Sequence, residues 1–173
     1  VAEPLLFEIT RDRIPVNSID AAFLYKPGLA YIKLDKFSRT TYMEFLAAVS
    51  KLLAEGMQEM VLDLRDNSGG YLDQALLLSN EFLERGKLVT YLEGVHRPRQ
   101  DFRADGRGSL QDTKLYVLVN EASASSSEIF SVAMQDNDRA LIFGRRSFGK
   151  GLVQEPIYFT DNSGLRLTVA RYY

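Results

Sequence analysis

Along this chain, short apolar runs with a period of two alternate with longer runs whose apolar positions repeat every 3.6 residues. Leu5 to Thr10 reads as a strand, and Arg11-Asp12-Arg13 and Pro15 separate it from the next apolar run. Ser18 to Tyr25 and Leu29 to Asp35 are strand-like, with Lys26-Pro27-Gly28 as the turn between them. Tyr42, Phe45, Leu46, Val49, Leu52 and Leu53 then fall on one helical face. Thr41 followed by Glu44 predicts a capping-box start for that helix, and Gly56 closes it. Gln58 to Arg65 predicts a strand that runs into the loop Asp66 to Gly70, and a second helix is expected from Leu72 to Arg85, ended by Gly86. Lys87 to Glu93 reads as a strand, and the polar, basic stretch Gly94 to Gly108 as an irregular hairpin. Leu115 to Val119 is the most apolar strand and is expected at the centre of a sheet. A helix should begin near Ser125 or Ser126, followed by a strand at Ala140 to Phe143. Val153 to Phe159 and Leu165 to Tyr173 should pair antiparallel around Asp161-Asn162-Ser163-Gly164. Strand–helix repetition of this kind predicts an α/β fold in layers, with antiparallel strands added at both ends.

Composition narrows the chemistry more than the fold. The 173 residues suit one medium core, and 46% apolar and 25% charged residues are ordinary for a globular chain. A net charge of −2 gives no general attraction to nucleic acid or an anionic membrane. No apolar run approaches the roughly 20 residues that span a bilayer, and the opening VAEPLLFEIT has neither a basic nor an apolar leader region. With no cysteine there can be no disulfide, thiolate nucleophile or sulfur-ligated zinc, and with a single histidine, His96, no histidine metal cluster. If the chain performs nucleophilic catalysis, the nucleophile is a hydroxyl and the base is expected to be an amine.

Three segments offer such groups. In SASSSE, Ser123 to Glu128, a hydroxyl falls at a helix start, where unpaired N–H groups and the helix dipole favour a developing oxyanion. Ordinary N-capping explains a serine cluster equally well. In Asp63 to Gly70, DLRDNSGG, paired glycines allow close backbone approach, so Gly69 or Gly70 can supply a second oxyanion donor; an ordinary strand-to-helix turn has the same composition. The third is FGKG, Phe148 to Gly151. Gly144 to Lys150 fits GxxxxGK, but a phosphate loop needs Ser or Thr where Gly151 stands and a helix where a strand is predicted. As a base, Lys150 would have to be desolvated enough to be neutral near pH 7; a solvated loop lysine is the plain alternative. His96, in the basic segment VHRPR, reads as a surface residue.

Taken together, VLDLRDNSGG (Val61 to Gly70), VLVNEASASSSEIFSVAMQD (Val117 to Asp136), GRRSFGKGLVQ (Gly144 to Gln154) and LTVARYY (Leu167 to Tyr173) resemble the C-terminal processing peptidases, or tail-specific proteases. The four motifs occur in family order, and the resemblance covers nearly the whole chain. The resemblance implies a crotonase-like or Clp-protease-like layered core and a serine peptidase. It implies Ser125 as nucleophile, Lys150 as general base and Gln154 as the residue orienting that lysine. The implied oxyanion donors are the backbone N–H groups of Gly70 and Ser126. It implies no cofactor, a protein or peptide substrate bound as an extended strand, and work in the periplasm or cell envelope. Position 126 is usually alanine in the family, so Ser126 places an extra hydroxyl beside the nucleophile. Family members also carry a PDZ domain ahead of the core. Residues 1–14 are expected to be its last strand and exit, and residues 15–173 the catalytic core, cut at its C-terminus; with the PDZ domain missing and the core cut, this fragment is expected to be poorly active. A non-catalytic ligand- or peptide-binding module on the same fold is the alternative reading.

Overall fold

The computed structural model describes Phe7 and residues 16–173. Apart from Phe7, the predicted strand Leu5–Thr10 lies outside the described residues, as do the other residues of 1–14, the expected domain exit.

Five strands form the main sheet: β1 (Ile19–Lys26), β2 (Leu29–Leu34), β3 (Glu59–Asp63), β6 (Lys114–Val119) and β7 (Ala140–Gly144), side by side in that order. β1 and β2 form an antiparallel hairpin around Pro27-Gly28, whereas β2, β3, β6 and β7 are parallel. Between these parallel strands come α1 (Thr41–Ala54), α2 (Leu72–Phe82) and α3 (Ser126–Asp136). The strand order advances in one direction, so right-handed crossovers lay all three helices on one face of the sheet. Burial follows from this. Ile32 and Leu34, Met60 and Leu62, and Val117 alternate along their strands and are closed off completely, beneath Phe45 of α1, Phe82 of α2 and Phe130 of α3. Those three rings form a chain through the core, with centroids 6.1 and 5.9 Å apart. On the opposite face, register aligns Phe23, Tyr31, Val61, Tyr116 and Leu141 in one cross-strand row that remains partly exposed.

A second sheet takes the order β5-β4-β9-β8, from β4 (Leu88–Gly94), β5 (Arg97–Arg103), β8 (Leu152–Tyr158) and β9 (Gly164–Tyr172). It is two hairpins joined edge to edge through Leu92↔Tyr172 and Glu93↔Arg171. The joint is reinforced at the end of β9. Tyr91 and Tyr173 exchange backbone hydrogen bonds of 3.0 Å each way and stack their rings 4.8 Å apart.

Three expectations change in detail. The middle strand of the main sheet is β3, with β6 beside it. Thr40 occupies the N-cap of α1, and Thr41 turns inward, accepting from the Ser38 N–H at 2.8 Å and donating to Ser18 Oγ at 2.7 Å. Glu44 does not cap the helix: it takes the Ser18 and Ile19 N–H groups and so pins the start of β1. Helix α2 ends at Phe82, because Leu83 turns extended to bury its side chain in the core.

Candidate active site

The turn after β6 is built by its small residues. Ser123 Oγ accepts from the Asn120 N–H at 2.9 Å and donates to Leu64 O at 2.8 Å. Ser127 Oγ donates to Asn67 O at 2.9 Å, and Ser126 Oγ to Gly70 O at 3.0 Å. Three of the four serines are thus buried stitches between this turn and the loop after β3. Ser125 stands apart. It is the N-cap of α3, its hydroxyl stitches no second loop among the described residues, and its backbone sits at φ 56°, ψ −115°. Asp66, Asp138 and Asn162 also have positive φ, but these are side chains that tolerate left-handed turns, and serine gains no such relief. Strain of about 1–3 kcal/mol is usual at such a position and persists where the surroundings impose it.

Those surroundings are the glycine loop. Asn67 is fully buried, donating from Nδ2 to Leu34 O at 2.8 Å and accepting the Gly69 N–H on Oδ1 at 2.9 Å. Gly69 has φ 93°, and a Cβ there would fall 2.8 Å from both Ser125 Cβ and Ser126 N. Gly70 is held by Phe37, which donates its N–H to Gly69 O and accepts the Tyr71 N–H, both at 2.9 Å. The peptides on either side of Gly70 are therefore fixed. Neither the Gly70 N–H nor the Ser126 N–H donates to a protein acceptor among the described residues. Just before this loop, the buried Asp63 carboxylate accepts from Arg65 Nη2 at 2.6 Å and from the Tyr31 hydroxyl at 2.7 Å. Burial pushes its pKa up, but the Arg65 and Tyr31 hydrogen bonds outweigh burial and hold it below the usual carboxylate range.

The lysine loop runs from β7 to β8, and a strand comes after it where a phosphate loop would need a helix. It is tied to the Ser125 turn by Phe148 N–H to Ser123 O at 3.0 Å and by the Glu128 carboxylate of α3. That carboxylate accepts four hydrogen bonds. Oε2 takes the Ser125 N–H at 2.8 Å and the Lys150 N–H at 2.9 Å; Oε1 takes the Gly149 N–H at 2.6 Å and Ser147 Oγ at 2.7 Å. On the far side of Lys150, Gly151 O accepts the Tyr172 N–H at 2.9 Å.

The structure therefore brings Ser125, Ser126, the Gly70 loop and the backbone of Lys150 together. It does not join the Ser125 and Lys150 side chains: Lys150 is exposed, and its amine makes no hydrogen bond or ion pair among the described residues. Gln154 lies in β8 opposite Thr168, with its residue exposed. His96 is exposed at the tip of the β4–β5 turn in the second sheet. Two residues of the site, Glu128 and Phe37, escape the reading of the sequence. The spacing Ser125-x-x-Glu128 is a capping-box signature that draws attention to Glu128, whereas Phe37 acts through its backbone and leaves no signal.

Comparison with known proteins identifies the family. The sequence profile of peptidase family S41 matches residues 28–173. The chain is 41% identical over 179 residues to a carboxy-terminal-processing protease of Bartonella bacilliformis, covering 100% of this chain and 40% of that protein. It is 35% identical over 178 residues to the chloroplastic carboxyl-terminal-processing peptidase 2 of Arabidopsis thaliana, covering 98% of this chain and 34% of that protein. Among solved structures, the photosystem II D1 C-terminal processing protease superposes with a TM-score of 0.80 at 34% identity, over 95% of this chain and 45% of that one. A Bacteroides fragilis structure at 21% identity shares the fold, with a TM-score of 0.77 over 92% of this chain and 47% of that one. The chain thus spans less than half the length of these relatives, and it belongs to peptidase family S41.

Proposed function

We propose that the chain carries the catalytic core of a serine endopeptidase that cleaves protein or peptide substrates near their C-termini. The observation that carries this reading is the Ser125 turn: a serine held at positive φ at the head of a helix, beside two backbone N–H groups with no protein acceptor among the described residues. A strained strand-to-helix turn of this sort exposes a nucleophilic hydroxyl, and oriented N–H groups receive the charge that develops on the substrate. In the proposed reaction, neutral Lys150 accepts the Ser125 Oγ proton as the oxygen attacks the scissile carbonyl. The Gly70 and Ser126 N–H groups bind the oxyanion. Lys150 then protonates the leaving amine, and a water that it deprotonates hydrolyses the acyl-enzyme. Gln154 orients the lysine. This requires the amine to leave solvent and come within about 2.6–3.2 Å of Ser125 Oγ, a swing that a flexible four-carbon stem allows.

The substrate is an extended peptide held by backbone hydrogen bonds beside the site. By the same family reasoning, a PDZ domain precedes the core, with residues 1–14 as its exit, and the enzyme works in the periplasm or cell envelope. In the full-length enzyme, Ser125→Ala should abolish both peptide hydrolysis and labelling by a fluorophosphonate probe, while Ser126→Ala keeps most activity because alanine retains the N–H. Lys150→Arg should be nearly as damaging as Lys150→Ala, since arginine cannot become neutral. Retained hydrolysis in Ser125→Ala, or near-normal turnover in Lys150→Arg, would overturn the dyad. A wild-type enzyme that never labels would favour the non-catalytic binding module.

A further inference from the structure

We infer that Glu128 is a positioning residue that sets the approach of Lys150 to Ser125, an inference that rests on the dyad proposed above. The plain alternative is a helix-capping glutamate. A cap needs only one of the four hydrogen bonds observed, the 2.8 Å contact from the Ser125 N–H. The other three come from a different element, and together they span the lysine loop: Ser147 Oγ, Gly149 N–H and Lys150 N–H. An ionised carboxylate has about four acceptor sites. All four are taken here, at the short distances of charge-assisted bonds.

The sharing of these donors matters in two ways. The Ser125 and Lys150 N–H groups meet on the same oxygen, Oε2, so the backbones of the two reacting residues turn about a single point. The carboxylate also has no acceptor site left for the Lys150 amine. A carboxylate paired with that amine would favour the ammonium form, which cannot accept a proton. Glu128 therefore fixes where the lysine begins without engaging the group that reacts. Among the described residues, few other bonds hold the loop near Lys150: the Phe148 N–H to Ser123 O, the Gly151 N–H to Gly149 O within the loop, and Gly151 O accepting from Tyr172.

The test uses the full-length enzyme and the rate of Ser125 acylation by a fluorophosphonate, alongside kcat and KM for a peptide. Glu128→Gln keeps the shape but sets an NH2 group against two of the four donors. Displacement of about 1 Å costs on the order of 10²-fold in rate, so acylation and kcat should fall by about that much while KM stays roughly constant. In a Lys150→Ala background, Glu128→Gln should then cost almost nothing further, because its effect runs through the lysine. A purely structural glutamate would lower both backgrounds by the same factor, and that result overturns the inference, as does full activity in Glu128→Gln. If Glu128→Gln fails to fold, Ser147→Ala removes one loop donor and spares the helix cap; an unchanged acylation rate there overturns the inference too. Full activity in Lys150→Ala alone would instead overturn the dyad.

Discussion

At the scale of single residues, charge and conformation are concentrated on the loop after β3 and the turn after β6. Asp63 shows how the first is secured. Its carboxylate is 0% exposed, its Arg65 partner 50% exposed, and its pKa is held below the ordinary carboxylate value by that partner and Tyr31, against the effect of burial. A carboxylate whose folded pKa is depressed stabilises the fold above its unfolded value, about 3.9, and that contribution is lost as pH falls through the folded value. The denaturation midpoint should therefore decline as pH drops below about 4. Asp63→Asn should flatten the decline and, by weakening a buried acceptor, cost about 1–3 kcal/mol at neutral pH. An identical pH slope in wild type and variant would contradict this. Ser126 makes a contrasting case, since its buried hydroxyl donates to Gly70 O yet only its N–H enters the proposed chemistry.

At the scale of elements, two glycines with nearly the same φ separate fold from site. Gly56, just past α1, has φ 94° and open space within 4 Å of where a Cβ would stand, while Gly69 has φ 93° with Ser125 and Ser126 directly against it. Gly56→Ala should cost about 1–2 kcal/mol of stability and leave activity intact in the full-length enzyme. Gly69→Ala should incur the same strain and also push the nucleophile turn, lowering kcat by on the order of 10²-fold or more. Equal kcat in the two variants would show that the Gly69 contact does not matter. The boundaries of most elements were legible in the sequence because each is written locally: the 3.6-residue face of α1, the Pro-Gly turn of the first hairpin, the glycines after helices. Thr40 displaced Thr41 from the cap because Thr41 found a better use, a hydrogen-bonded position under Ser38. The same limit applied at the site. Motif and helix start led to Ser125 and to the loop of Lys150, but no local pattern encodes that Glu128 collects three donors from a loop some twenty residues away.

At the scale of the whole molecule, the α/β layering and the two outer hairpins were legible, but the joining of those hairpins into a second sheet was not, because Leu92↔Tyr172 and Glu93↔Arg171 pair segments far apart in sequence. That sheet is also the less secure one. In β8 only Val153 is buried and in β9 only Ala170, whereas β3 and β6 each bury three residues, most of them under the helices. Amide hydrogen exchange on this 173-residue chain should accordingly run fastest around the Asp161–Gly164 turn and along β8, and slowest in β3 and β6. Protection of β8 equal to that of β3 would refute the ranking. The route of the lysine loop gives this difference a mechanical meaning. It leaves the main sheet at Gly144 and enters the second sheet at Leu152, so Lys150 hangs across the seam like a cable between two piers. One pier is footed in the phenylalanine core; the other is a ribbon moored by two ladder pairs and a tyrosine stack. The Glu128 carboxylate grips the span partway along, so a tilt of the outer ribbon reaches Lys150 from the Leu152 side only, through Gly151 and against that grip.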